Sequence, residues 1–202
     1  MAQLAQGYIH LRPFHMLEAD LKLHAEFRAI IADVKLLCLS ELFDNILMWS
    51  HYAKDHTGVV IRLTCIEELD SAWGAARLVR YEKKMPLLLD EEQTIMMMSG
   101  KTTVDKEAAL HNSVYCKASD WAYEKEWRLF GGRDATKQYE DIPFHTQELT
   151  GVYLGCRISA PDRDKMIELV TQKYPHADLF VGKKAERTFT LEFEKIPILG
   201  KS

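Results

Sequence analysis

The chain has 202 residues, of which 47% are hydrophobic and 28% are charged, and its net charge at pH 7 is −4. These values are ordinary for a globular protein, and we expect one domain that spans residues 1–202. The acidic balance excludes a broad nucleic-acid-binding surface, and no apolar run approaches the roughly 20 residues of a membrane span. The four cysteines form no C-x-x-C motif, which indicates free thiols in a reducing compartment and predicts a cytoplasmic protein.

The first half of the chain alternates between helical and extended patterns. Apolar residues recur at three- and four-residue spacing over residues 12–33, which predicts a helix. Residues 34–39 are a short apolar run typical of a buried strand. Ser40 is the expected N-cap of a second helix, and Gly58 is the residue expected to end it. The pattern then predicts strands at 59–63 and 77–81 and one or two helices within 85–116.

The second half is richer in strands. We expect strands at 124–130, 151–156, 178–181 and 188–196, a turn at Gly131-Gly132, and a helix over 161–174. About seven short strands with flanking helices predict an α+β fold with a mixed, mostly antiparallel sheet. The alternation of strands and helices is too irregular for a doubly wound parallel fold.

The segment WAYEKEWRLF, residues 121–130, carries two acids spaced two apart. If 124–130 is a strand, Glu124, Glu126, Arg128 and Phe130 lie on one face. Two carboxylates beside a guanidinium are costly to bury unless they pair or bind a ligand. One such acid can hold a ribose hydroxyl and stabilise an oxocarbenium-like transition state, while the other positions or deprotonates a nucleophile. The alternative is a solvated face on which Glu126 and Arg128 form a surface pair.

The segment MWSHYAKDH, residues 48–56, is the second candidate. On a helix, His51 and Asp55 share a face, and Tyr52 pairs with His56 in the same way. Asp55 would then orient His51 for acid–base catalysis or metal ligation. The alternative is that Trp49 and Tyr52 anchor the helix in the core while His51 joins a hydrogen-bond network. No second cluster has clear metal-ligand spacing, so we expect no metal.

Taken together, several segments resemble a bacterial family of domains of unknown function that is akin to the abortive-infection AbiGi proteins. The family pattern includes M-W-x-H-Y-A-x-x-H-x-G and W-x-Y-E-x-E-[WY]-R. The resemblance covers roughly residues 34–160 and rests on MWSHYAKDHTGVVI, the strand that ends at Tyr81, KASDWAYEKEWRLF and GVYLGCRI. The CLSE of residues 38–41 also matches what usually precedes the first motif.

The resemblance implies a chemistry, because an E-x-E pair on a strand is similar to the layout of ADP-ribosyltransferase folds. In that layout Glu126 contacts the nicotinamide ribose of NAD as the key catalytic group, and Glu124 positions the acceptor. His51 is the third catalytic candidate and lies on the nicotinamide side with Tyr52. The cofactor-binding candidates are Tyr52, Arg128 and Trp49.

The resemblance departs from the family pattern at the N-terminus. Related sequences usually begin with a Tyr/Arg-rich strand and an N-D-P-F-E segment, whereas here that strand is missing or unrecognisable and Arg12-Pro13-Phe14 stands near the expected position. An ADP-ribosyltransferase needs an Arg or His on that strand to bind NAD, and His10 or Arg12 is the candidate for this role. Otherwise the chain is truncated or has lost activity.

Three functions therefore remain open. The first is an NAD-using, ADP-ribosyltransferase-like enzyme in phage defence or toxin action, with an unknown macromolecular or small-molecule acceptor. The second is a non-enzymatic binding or structural module of a defence or regulatory system. The third is a metal-dependent hydrolase or nuclease that uses His51, Asp55, His56 and the two glutamates.

Overall fold

The structure is a computed structural model. It describes residues 34–86, 111–133 and 143–197, together with 25, 92, 95, 96, 99, 136, 139 and 141. The predicted α+β class is confirmed. Within the described residues the strands are β1 Val34–Ser40, β2 Val59–Leu63, β3 Arg77–Leu78, β4 Arg80–Glu82, β5 Cys116–Ala118, β6 Glu126–Arg133, β7 Leu149–Leu154, β8 Asp178–Lys184 and β9 Leu191–Ile196. The α-helices with full bounds are α1 Ile46–Tyr52 and α2 Ala160–Lys173.

The strands form three sheets rather than the one predicted. The first sheet has the order β1-β6-β3, and both of its pairings are antiparallel. The second has the order β2-β7-β8-β9, in which only the β7–β8 pairing is parallel. The third is the short parallel pair β4–β5, where Tyr81 lies opposite Lys117. Antiparallel pairings therefore predominate, as the patterning predicts.

The four-stranded sheet holds most of the core because both of its faces are covered. Alternate residues of β7 point to opposite faces, so Val152 and Leu154 pack toward α2 while Tyr153 packs toward α1. Helix α2 is the crossover between the parallel strands β7 and β8. Its N-cap is Ser159, whose hydroxyl accepts a hydrogen bond from the Asp162 amide.

Helix α1 is shorter than predicted and begins later. Ser40 lies at the end of β1, and the N-cap is Asn45, whose side chain accepts from the amides of Leu47 and Met48. The helix ends at Tyr52. Three residues with positive φ then follow, Lys54, Asp55 and His56 at 48°, 51° and 65°.

Other boundaries also differ from the sequence prediction. Gly131 and Gly132 lie inside β6 rather than in a turn, since β1 continues to pair with the strand there. The predicted strand 77–81 is divided between β3 and β4. Most of the predicted helix 12–33 and of the helical region 85–116 lies outside the described residues, although residues 25, 92, 95, 96 and 111–114 are helical and Cys116 begins β5. Within the described residues, no helix has the length and apolar character needed to cross a membrane.

Candidate functional site

Two glutamates and two basic residues meet where β5, β6 and a short 3-10 helix come together. Glu124 is the last residue of the 3-10 helix Ser119–Glu124, and Glu126 is the first residue of β6. Lys125 between them is left-handed, with φ 48°. The predicted strand 124–130 is thus wrong at its start, and the E-x-E pair spans a bend. We call Lys117, Glu124, Glu126 and Arg128 the carboxylate cluster.

The two glutamates share one ammonium group. Lys117 donates to Glu124 Oε2 and to Glu126 Oε2, the latter at 2.9 Å. Glu124 is only 2% exposed and Glu126 only 4%, so the alternative of a solvated strand face is wrong. Two ammonium or guanidinium charges balance two carboxylates, which is what burial of acids requires.

Glu126 is fully engaged by its neighbours. Arg128 donates from Nε to Oε1 at 2.7 Å and from NH2 to Oε2 at 3.2 Å. Burial by itself would raise the pKa of Glu126, but hydrogen bonds from Arg128, Cys38 and Lys117 lower this pKa to about 2. Cys38 lies opposite Arg128 in the β1–β6 register. Loss of water around its thiol and the contact with Glu126 raise the pKa of Cys38 to about 11.

Lys117 remains an ammonium in this setting. Burial by itself would lower the pKa of Lys117, but the hydrogen bonds to Glu124 and Glu126 raise it above its ordinary value. A protonated amine is not a nucleophile, so the resting cluster offers no lysine for covalent chemistry. Lys117 Nζ also lies 4.9 Å from the centre of the Trp121 ring, within the range of a cation–π contact.

The buried Glu124 is hydrogen-bonded to an exposed residue, Tyr52. The Tyr52 hydroxyl donates to Glu124 Oε1 at 2.7 Å, while Tyr52 itself is 63% exposed. The hydrogen bond to Glu124, with some loss of water, raises the pKa of Tyr52 to about 12. Ser40 Oγ donates to the Glu124 carbonyl oxygen at 2.7 Å. The end of α1 and the end of β1 are therefore both tied to the residue that carries the first carboxylate.

A cleft of about 960 Å³ runs between β1 and β2, and it is lined by neighbours of the carboxylate cluster rather than by the four residues of the cluster itself. On the cluster side its lining includes Cys38, Ser40, Met48 and Tyr52. Further along, the wall is largely apolar and aromatic. Three of the cleft residues thus contact Glu124 or Glu126 directly, since Cys38 meets Glu126 and both Ser40 and Tyr52 meet Glu124.

The structure brings together four of the six residues predicted for the site, namely Glu124, Glu126, Arg128 and Tyr52. His51 lies beside them, with its ring centre 6.2 Å from those of Tyr52 and Trp121. Trp49 is placed differently. It is 1% exposed, and its indole donates to the Phe43 carbonyl oxygen at 2.6 Å, although it also lines the cleft. The structural alternative is thus right to place Trp49 in the core and wrong to place Tyr52 there.

The expected pairing of His51 with Asp55 on one helical face does not form because α1 ends at Tyr52. Asp55 instead accepts a hydrogen bond from Ser50 at 3.3 Å. His56, with its positive φ, accepts a backbone hydrogen bond from the Arg157 amide through its carbonyl oxygen. Among the described residues, no three His, Cys, Asp or Glu side chains group in the manner of metal ligands.

Sequence reasoning missed Lys117, Cys38 and Trp121. The signal for Lys117 was charge balance, since two buried carboxylates and one guanidinium leave one negative charge to be paired. Lys117 opens the same motif, KASDWAYEKEWR, but it lies seven positions before Glu124. Cys38 could not be found in this way because its contact with Glu126 depends on the pairing of β1 with β6.

Comparison with known proteins gives one match. Neither the curated proteins nor the solved structures contain a match to the chain. Residues 48–129 match the profile of DUF2971, a family described as proteins of unknown function. The matched range begins inside α1 and reaches into β6, so it contains the carboxylate cluster, His51 and Tyr52.

Proposed function

We propose that the carboxylate cluster and the adjoining cleft form the site of an ADP-ribosyltransferase-like enzyme that uses NAD. The observation that carries the proposal is the position of Glu124 and Glu126, which share Lys117 and adjoin the cleft through Tyr52 and Cys38. The likeness of the motifs to abortive-infection proteins adds a biological setting, namely phage defence or toxin action.

The ionised state of Glu126 suits this chemistry, although the charges of Lys117 and Arg128 balance those of the two carboxylates. Carboxylates that remain ionised near neutral pH stabilise the positive charge that develops on the ribose when the bond to nicotinamide breaks. The low pKa of Glu126 keeps that carboxylate ionised.

The surroundings supply a surface for flat rings. Tyr52, Trp121 and His51 lie next to one another and are exposed, and the Lys117 ammonium is held near Trp121. Exposed aromatic rings of this kind bind planar groups such as nicotinamide or adenine by stacking. The cleft beyond Tyr52 has the volume typical of small-molecule sites.

The test is to incubate the protein with NAD labelled in the adenylate half and with cell lysate, and to measure both transfer of label and free nicotinamide. We expect Glu126→Gln to abolish both while its circular dichroism spectrum stays native. Glu194→Gln is the matched control, because Glu194 forms an exposed surface pair with Lys183. If the wild-type protein yields neither transfer nor nicotinamide, the proposal is wrong.

A second function has an observation of its own in its favour. Both oxygens of Glu126 are occupied by Arg128 and Lys117, which is the arrangement of a structural polar network in a non-enzymatic binding module. In that case Glu126→Gln lowers the melting temperature and has no separate functional effect. Lost NAD turnover in a Glu126→Gln variant that is still folded would count against this reading. The metal-dependent hydrolase has no such support, because Asp55 and His56 lie after the end of α1 in a separate left-handed turn.

A further inference from the structure

We infer that Tyr52 relays a proton from the acceptor to Glu124, and that the acceptor is a hydroxyl group. On this view the Tyr52 oxygen receives the hydroxyl proton while the Tyr52 proton passes to Glu124. The inference rests on the proposed function and extends it, since the resemblance to ADP-ribosyltransferases assigns Tyr52 only to the nicotinamide side.

The first step of the argument is the inaccessibility of both carboxylates. Glu126 is held at both oxygens by Arg128 and Lys117. Glu124 has one oxygen on Lys117 and the other on Tyr52. Since each glutamate is almost fully buried, a ligand in the cleft meets the neighbours of these carboxylates before it meets the carboxylates themselves.

The second step is the position of Tyr52. It is the last residue of α1, it lines the cleft, and most of its surface is exposed. A phenol oxygen that donates its proton to Glu124 retains lone pairs with which to accept a hydrogen bond. Tyr52 can therefore connect a hydroxyl in the cleft with a carboxylate that the hydroxyl cannot reach.

The third step is that α1 is held in place. Asn45 caps the helix, and its side-chain amide also donates to the Tyr123 carbonyl oxygen at 3.4 Å. Tyr123 directly precedes Glu124, so the same contacts that orient α1 also orient the carboxylate. A proton relay needs this fixed geometry because each transfer requires a hydrogen bond of about 2.6–3.2 Å.

The chemical step balances. The acceptor oxygen forms a bond to the ribose carbon as the bond from that carbon to the nicotinamide nitrogen breaks. The bonding electrons leave with nicotinamide, which departs as a neutral molecule. The acceptor proton moves to Tyr52, and the Tyr52 proton moves to Glu124. Tyr52 stays neutral throughout, which agrees with a phenol that is protonated near pH 7.

The relay also selects the acceptor. A hydroxyl must lose a proton as it attacks, so it benefits from a relay that ends at a carboxylate. The cluster has no excess negative charge with which to attract a guanidinium or an ammonium group. Water and alcohols share the required chemistry, and they give different products, namely free ADP-ribose or an ADP-ribosylated alcohol.

The experiment compares nicotinamide release by the wild type, Tyr52→Phe, Glu124→Gln and the double variant. We expect each single variant to lower kcat about 100-fold, and the double variant to lower it no further, because the two residues act as a unit. A plot of the wild-type rate against the fraction of D2O should be curved, because two protons move. The same plot for Tyr52→Phe should be a straight line. Tyr174→Phe, at the end of α2, should equal the wild type.

The outcomes separate the two proposals. An inactive wild type overturns the proposed function and the relay with it. An active wild type together with an active Tyr52→Phe overturns the relay alone. If Tyr52→Phe is unfolded, the relay is tested by the kcat of Glu124→Gln and by the dependence of the wild-type rate on the fraction of D2O. A linear dependence of the wild-type rate contradicts the relay. Added ethylene glycol should be ADP-ribosylated, and faster release with agmatine in its place would overturn the hydroxyl assignment.

Discussion

Arg128 holds both oxygens of the Glu126 carboxylate, with Nε 2.7 Å from Oε1 and NH2 3.2 Å from Oε2. The planar guanidinium matches the carboxylate in this geometry, which a lysine could not reproduce. The third nitrogen of Arg128 donates to the Val114 carbonyl oxygen. Arg128 therefore connects β6 to the residues before β5, and its position favours organisation of the site over direct contact with a ligand.

Arg128→Ala should lower the free energy of unfolding by about 3–5 kcal/mol, because it leaves the buried Glu126 carboxylate without its main partner. Urea denaturation at pH 7 measures this loss. The control is Arg163→Ala, since Arg163 forms an exposed pair with Asp164 and should lose less than about 1 kcal/mol. Equal losses in the two variants would contradict the structural role of Arg128.

The stability that Glu126 contributes should depend on pH. Its pKa is about 2 in the folded protein and 4.5 for an ordinary glutamate, so folding favours the ionised form. The contribution is complete above pH 4.5 and is lost as the pH falls from 4.5 towards 2. The difference in unfolding free energy between the wild type and Glu126→Gln should decrease by about 3 kcal/mol over that range. A difference that stays constant over that pH range would refute the prediction.

Gly155→Ala should destabilise the protein by about 3 kcal/mol. An added Cβ would overlap the carbonyl oxygen of His56 and lie 2.7 Å from its carbonyl carbon. Backbone atoms cannot move aside as a flexible side chain can, and His56 is already held at positive φ. Thermal and urea unfolding measure the loss. At Gly74 the added Cβ would meet only the Cys65 sulfur at 3.6 Å, so Gly74→Ala should change stability far less.

Asn45→Ala should cost about 1 kcal/mol, because the amides of Leu47 and Met48 lose their acceptor. Asn45→Asp keeps a side-chain oxygen at the N-cap and should recover most of the loss. Urea denaturation of the three proteins checks the order. If Asn45→Asp is as unstable as Asn45→Ala, the hydrogen bond from Asn45 to the Tyr123 carbonyl matters more than the cap.

Local patterns predicted several elements accurately because the information for them is local. The strand at 59–63 was predicted with its observed bounds, and the helix at 161–174 differs from α2 by one residue at each end. The cap of α1 was missed because Ser40 and Asn45 are both good N-caps, and the choice between them depends on how far β1 pairs with β6. Ser40 lies opposite Glu126 in that pairing, so it belongs to the strand.

Both segments of the candidate site were identified from the sequence, and their charges were expected to require partners if they are buried. The geometry of the E-x-E pair was not predicted from the sequence, because it depends on the left-handed conformation of Lys125. A lysine rarely adopts that conformation without support from the surrounding fold. Trp49 was expected at the ligand, and it packs against the ring of Phe193 in the core while it also lines the cleft.

The sequence by itself determined the fold class, the positions of most strands and Glu124, Glu126 and Arg128 as one group of charges, whereas Tyr52 was joined to them only through the family resemblance. These follow from side-chain periodicity and from the cost of burying charge, which are properties of neighbouring residues. Only the tertiary structure decided that Lys117 is the shared cation. The same is true of the hydrogen bond from Tyr52 to Glu124, because it joins residues 72 positions apart whose contact exists only once α1 packs beside the 3-10 helix.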